Sequence, residues 1–353
     1  MRASKNEPKA ANVLLLTLFI LAGLMAVDCA NRPATAVRPA PQLCVSGATQ
    51  PSNRFDRVHG CITYNDGSEI WAVDPNHPSN RISLGPSNGL TSMAWSRDGS
   101  RLLLVEERNA GTAQDAQDLY VMNADGAQTR LTSDGHGGEG SFSPDGTKVV
   151  FARWNAGPAE GLYVVDVKGG APRLIAKSYL AWWLGTPAWS PDGSRIAYTV
   201  YLEGGPEGFT YQIWTVSPDG TDPRLLIDLG ECGGGGCSGG LAWSPDGSML
   251  AFYSMRDNLS TRTRAIYVVH ADGSGLRRLN NDGFQASWSP DGSRLVFTRF
   301  PRLPGSVGDR WGGELFTMAP DGSDLTLVME GVVVVSQGVG VARPTGLAWN
   351  PVV

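Results

Sequence analysis

Apolar positions in this chain fall in short runs of roughly four to eight residues, each broken by turn residues, which is the pattern of β-strands rather than helices. The same break returns along the chain. Five copies read Trp95-Ser96-Arg97-Asp98-Gly99, Phe142-Ser143-Pro144-Asp145-Gly146, Trp189-Ser190-Pro191-Asp192-Gly193, Trp243-Ser244-Pro245-Asp246-Gly247 and Trp288-Ser289-Pro290-Asp291-Gly292. A shorter sixth is Trp349-Asn350-Pro351. Pro pre-sets φ at the second turn position, Asp hydrogen-bonds its own backbone, and Gly accepts positive φ at the exit. A strand therefore enters each turn. Another leaves it, as in Arg195-Ile196-Ala197-Tyr198-Thr199 or Arg294-Leu295-Val296-Phe297-Thr298.

A second strand pair follows in every copy. It opens on an aliphatic–aromatic pair: Leu119-Tyr120, Leu162-Tyr163, Ile213-Trp214, Ile266-Tyr267 or Leu315-Phe316. Turns at Asp125-Gly126, Asp219-Gly220, Asp272-Gly273 and Asp321-Gly322, with Gly169-Gly170 in the third copy, lead to a basic–apolar strand. Each unit is thus a four-stranded antiparallel meander, and a repeat period of about 40–60 residues predicts a β-propeller. The first unit supplies three strands, around Ile62, Ile70 and Ile82. Gly346-Leu347-Ala348-Trp349 supplies the missing innermost strand from the other end of the chain. The fold expected is all-β, a six-bladed propeller closed by the C-terminal strand completing the N-terminal blade. Closure removes the free sheet edges.

The Trp-Ser-Pro-Asp-Gly signature, the strand after it, the aliphatic–aromatic pair and the Asp-Gly turn together resemble the TolB-type repeat of WD-like propellers, over roughly 58–353. Such repeats occur in TolB of the Tol–Pal system, in lyases and in the propellers of prolyl oligopeptidases. The resemblance implies the fold and is specific for the fold only. Residues 31–57 are too short for the α/β domain that precedes the TolB propeller.

Ahead of the repeats, Arg2, Lys5 and Lys9 precede about 15 apolar residues at 13–27, the form of a signal peptide. Ala26-Val27-Asp28-Cys29 resembles a lipobox with Cys29 as the lipid-bearing residue, although Asp28 departs from that pattern. Cleavage after Ala34-Thr35-Ala36 and an uncleaved anchor stay open. The domains expected are a signal peptide at 1–28, a flexible Pro/Ala/Ser-rich stalk at 29–57 and the propeller at 58–353. The expected location is exported, periplasmic or cell-surface, on a bacterial membrane. Of the remaining cysteines, Cys232 and Cys237 flank four glycines and suit one disulfide; Cys44 and Cys61 suit another, pinning the stalk to the ring.

Composition narrows the chemistry. With 34 acidic and 29 basic residues the formal charge is −5, and no basic stripe points to nucleic acid. Gly236-Cys237-Ser238-Gly239-Gly240 matches a nucleophile-elbow pattern but has no helix after it. The four histidines are scattered, which argues against a His-rich metal site. The Asp-Gly turns lack the alternating ligands of a calcium loop. No cofactor is expected, with Ca²⁺ on the axis left open. Binding of a protein or peptide by a monomer is the leading expectation. An envelope enzyme acting on glycans or peptides through the central channel, or a structural envelope component, are the alternatives.

The long connections all open on the end of the ring opposite the repeated turns. They are 106–118, 153–161, 178–185, 201–211, 229–240, 255–264 and 300–313. Function concentrates on loops held by a rigid scaffold. Trp182, Trp183, Arg310 and Trp311, with Tyr201 and Phe209, are the candidate binding anchors there, since aromatic and Arg side chains dominate interface hot spots. The competing expectations are that they pack beneath the loops and, for Tyr201 with Tyr211, that they extend the strand pair.

Overall fold

The computed structural model describes residues 55–108, 116–154, 156–177, 181–203, 209–232, 238–257, 263–299, 312–333 and 347–350. All belong to one compact unit, Pro41–Val353. After a short 3-10 turn at Phe55–Arg57, blade one contributes β1 (Ile62–Asn65), β2 (Glu69–Asp74) and β3 (His77–Pro86). Blade two is β4 (Leu90–Trp95), β5 (Arg101–Arg108), β6 (Ala116–Asn123) and β7 (Gln128–Arg130). Blade three is β8 (Gly137–Phe142), β9 (Lys148–Arg153), β10 (Gly161–Asp166) and β11 (Arg173–Lys177). Blade four is β12 (Ala181–Trp189), β13 (Ile196–Glu203), β14 (Phe209–Val216) and β15 (Arg224–Cys232). Blade five is β16 (Ser238–Trp243), β17 (Met249–Ser254), β18 (Ala265–His270) and β19 (Arg277–Arg278). Blade six is β20 (Phe284–Trp288), β21 (Leu295–Arg299), β22 (Gly312–Met318) and β23 (Thr326–Val333), and β24 (Ala348–Trp349) comes last.

These strands form six four-stranded antiparallel sheets, and β24 joins β1, β2 and β3 as the innermost strand of blade one. Ile62 faces Trp349 and Thr63 faces Ala348 across that seam. The expected closure by the two chain segments is therefore present. Four hydrogen bonds hold it beside the ladder. Thr63 Oγ1 donates to Ala348 O at 2.9 Å and Trp349 Nε1 to Gly60 O at 2.8 Å. Asn350 N donates to Cys61 O at 2.9 Å and Gly60 N to Asn350 O at 3.1 Å.

The second and third strands of the blades are buried on both faces, so they read as apolar runs rather than as the polar–apolar alternation of a half-exposed strand. In β9, Val149 and Phe151 pack toward blade two with Leu103, Val105 and Leu119. Val150 and Ala152 pack toward blade four with Ile196, Tyr198 and Val200. Similar clusters fill the other gaps between blades. Phe55 is 1% exposed and meets Trp95 edge-on at 4.8 Å, so the packed core takes in residues just ahead of position 58.

Candidate functional site: the axial cavity and its two mouths

Each innermost strand positions side chains by the same local chemistry. The residue before the repeat aromatic is small: Ala94, Ser141, Ala188, Ala242, Ser287 and Ala348. Three residues before the aromatic stand Ser92, Glu139, Thr186, Gly240 and Gln285, at or beside a register shift in every blade from two to six. A bulge re-aims the residue it carries. In three successive blades that residue is left-handed, with φ of 43° at Thr186, 63° at Gly240 and 45° at Gln285. The conformation is natural for Gly and strained for a β-branched Thr. Backbone held in such regions clusters at ligand clamps.

These strands enclose an axial cavity of about 440 Å³ lined by the bulge residues, the small residues and the Trp95, Trp189, Trp243, Trp288 and Trp349 rings. The wall is stitched from blade to blade. Trp243 Nε1 donates to Ala188 O at 3.1 Å and Trp288 Nε1 to Ala242 O at 3.0 Å. Ser141 Oγ accepts from Trp189 N at 2.9 Å, and Ser287 Oγ from Trp349 N at 3.3 Å. Tryptophan here is architecture, as its place in the repeat predicts. Two ionisable groups line the cavity, Arg97 and Glu139. Sequence reading passed over both. The signal for Arg97 was present, since it breaks the Pro pattern of the turns.

At the turn face the Ser-Pro-Asp-Gly segments are closed hydrogen-bond units. In blade three, Ser143 Oγ donates to Asp145 Oδ1 at 2.5 Å and accepts from Lys148 N at 2.9 Å. The Ser143 hydroxyl, with the Thr147 amide and hydroxyl, holds the Asp145 carboxyl down at about 2. Asp192 and Asp246 are lowered for the same first reason, the Ser190 and Ser244 hydroxyls. Turn capping thus accounts for these aspartates. Among the described residues no group of three or more His, Cys, Asp or Glu is placed to hold a metal.

At the opposite face strands run into several of the expected loops. Residues 178–185 were expected to be a loop, yet Trp182 and Trp183 lie on β12, where Trp183 pairs with Tyr201. Residues 201–211 were set among the long connections, with Tyr201 and Tyr211 expected to extend the strand pair; β13 runs to Glu203 and pairs with β14, Tyr201 facing Tyr211. The physical reason is that the tall blade-four hairpin buries its own aromatics. Tyr201 is 6% exposed, meets Tyr211 edge-on at 4.1 Å, and donates its hydroxyl to Ser238 O at 2.6 Å. Burial pushes the Tyr201 phenol well up. Tyr201 therefore serves as satellite core.

The backbones of Trp182, Trp183 and Phe209 are described, but their side chains are not. Arg310 and Trp311 lie outside the described residues, as do Cys29, Cys44, Cys237 and the apolar segment at 13–27. Among the described residues no helix is long and apolar enough to cross a membrane. The basic side chains on this face sit over rings: Arg264 lies 5.0 Å from the centre of Phe284, and Arg153 lies 5.4 Å from Tyr163 and is paired with Asp134. Fully buried Asp118 accepts from Arg108, from Arg130 at 2.8 Å and from Thr132 at 3.1 Å, and so ties down the segment entering blade three. Its role was not legible, because the equivalent residue in blade three is Gly161. Ser238, inside the elbow-like motif, opens β16 and donates its hydroxyl to Ser254 Oγ at 2.8 Å, with a strand rather than a helix behind it.

The closed ring, its shared blade and its turn units define a six-bladed propeller of TolB-like repeats. Residues 161–300 match the family model of the TolB beta propeller domain. Over 211 residues the chain is 29% identical to an uncharacterized protein of Agrobacterium fabrum, covering 58% of this chain and 64% of that protein. Over 136 residues it is 32% identical to the Tol-Pal system protein TolB of Anaeromyxobacter dehalogenans, covering 38% of this chain and 27% of that protein. The chain thus spans under two thirds of the length of either relative. The crystal structure of TolB from Acinetobacter baumannii superposes with a TM-score of 0.59 at 19% identity, covering 84% of this chain and 67% of that one; it shares the fold.

Proposed function

We propose that this protein is an exported, membrane-tethered propeller that binds a protein or peptide partner in the bacterial cell envelope. The observation that carries this reading is the axial cavity. It is a rigid concavity walled by small side chains, main chain and Trp rings, and its two ionisable lining groups are of opposite charge rather than an acid–base pair set for proton transfer. The 32% identity to a Tol-Pal system protein supports a protein partner. Export is supported by the basic-then-apolar N-terminus, and tethering by Cys29 after Ala26-Val27-Asp28. A Cys44–Cys61 bridge would pin the stalk to the ring. Cys61 supports it, being fully buried just ahead of β1. Cys232 and Cys237 form the second proposed bridge.

The loop-face anchors under this reading are Trp182, Trp183, Phe209, Arg310 and Trp311. Each Trp→Ala change at 182, 183 and 311 should weaken partner capture by roughly 1–3 kcal/mol, the range of interface hot spots, without lowering the melting temperature. Capture is measured by pull-down from detergent-solubilised membranes beside thermal melts. Losses of roughly 3–5 kcal/mol in stability instead, or undiminished capture by all three variants, would show these residues to be packing groups.

A further inference from the structure

The turn-face mouth of the axial cavity carries one group that the repeat does not need. Blades three to six place Pro144, Pro191, Pro245 and Pro290 at the second turn position, whereas blade two places Arg97 there. The turn itself is unchanged: Gly99 N donates to Ser96 O at 2.9 Å, as Gly146 N does to Ser143 O at 2.8 Å. Arg97 is exposed, and its Nη1 donates to Pro191 O at 2.8 Å. Pro191 belongs to blade four, not to a neighbouring blade. A bond between blades two apart runs as a chord past the intervening Pro144 turn, so the guanidinium lies over the axial opening.

A guanidinium has five N–H donors in a planar fork that a carboxylate can accept bidentately and with opposite charge, which a single carbonyl oxygen cannot. Arg130, Arg195, Arg224 and Arg299 each have such a partner. Among the described residues no carboxylate is within ion-pair reach of Arg97, and its hydrogen bond goes to a main-chain carbonyl. The other ionisable lining group, Glu139, sits on the β8 bulge, three residues before the Phe142 that enters the turn. The cavity therefore has a cation at the turn-face mouth and a carboxylate deeper in. Its volume, about 440 Å³, is within the roughly 300–1,000 Å³ of small-ligand sites.

We propose that Arg97 is a carboxylate-binding group. A peptide carboxylate entering the turn-face mouth draws the guanidinium off Pro191 O and pairs with it. This site lies at the turn-face mouth, rests on the peptide-binding reading of the axial cavity, and does not depend on the proposed loop-face anchors.

Three probes test it: acetyl-trialanine with a free C-terminal carboxylate, the same peptide as the C-terminal amide, and acetyl-Ala-Asp-Ala amide. Binding is followed by intrinsic fluorescence, because Trp95, Trp189, Trp243 and Trp288 line the same cavity. The free acid should bind at least roughly tenfold more tightly than the amide, as expected for a charge-assisted pair. Binding of the Asp peptide like the acid assigns a side-chain carboxylate; binding like the amide assigns a chain terminus. Arg97→Pro restores the turn of the other blades and should abolish the acid preference with an unchanged melting temperature. Arg97→Gln should do the same, and Arg97→Lys should keep part of the preference. Equal binding of acid and amide by the wild-type protein, no binding of any probe, or a preference surviving in Arg97→Pro overturns the assignment. Partner capture by the loop-face variants is a separate measurement, so either reading can fail alone.

Discussion

At the residue scale the repeat rests on one hydroxyl. Ser190 is 5% exposed, donates to Asp192 Oδ1 at 2.6 Å and accepts from Arg195 N at 2.9 Å. Ser190→Ala leaves the part-buried Arg195 amide without its partner and should cost roughly 1 kcal/mol. It should also let the Asp192 carboxyl titrate nearer its ordinary range. The acid dependence has a defined sign. The folded values of Asp145, Asp192 and Asp246 lie below the ordinary carboxyl value of about 3.9. Their contribution to stability is therefore complete above about pH 4 and is lost as pH falls toward about 2, the folded value of Asp145. Denaturant melts between those limits should show wild type losing its advantage over Ser190→Ala as the pH drops. A constant difference across the range would refute the hydroxyl–carboxylate coupling.

At the scale of the element the decisive strand is β24. Its two paired residues and the Asn350 that follows them bring four further hydrogen bonds to blade one, and Trp349 brings one to Ser287 of blade six. Deleting 345–353 removes them. At roughly 1 kcal/mol for each of the four bonds to blade one, the loss is about 4 kcal/mol before any packing is counted, and an open β1 edge invites pairing between molecules. The truncated protein should melt lower and associate with rising concentration, as seen in thermal scans and sedimentation. An unchanged melting temperature in a monomer would be incompatible with this closure.

For the molecule as a whole, the proposed tether sets where the binding faces are held. If Cys29 carries acyl chains, Cys29→Ser should move the protein from the membrane to the soluble fraction, since stable anchoring needs more than one chain or signal. Metabolic labelling with a palmitate analogue should mark the wild-type protein alone. Equal labelling of both proteins, or of neither, rejects the lipid and leaves simple secretion or an uncleaved anchor.

The sequence by itself determined what repeats. Turn chemistry is local, so Ser-Pro-Asp-Gly and Asp-Gly marked the hairpins, their spacing counted the blades, and the orphan strand before Trp349 announced the closure. The place of Trp in each copy also identified it as wall rather than ligand. What does not repeat was decided by tertiary structure. Residues 201–203 and 209–211 carry no period that separates a loop from an extended hairpin, and the packing of Tyr201 against Tyr211 and Ser238 holds them as strand. The axial cavity is assembled from bulges in five strands far apart in sequence. Arg97 and Pro191, 94 positions apart, meet only because the ring sets their blades on either side of one opening. Local signals encode local backbone; a site on the symmetry axis draws one residue from each copy, so it exists only once the ring is closed.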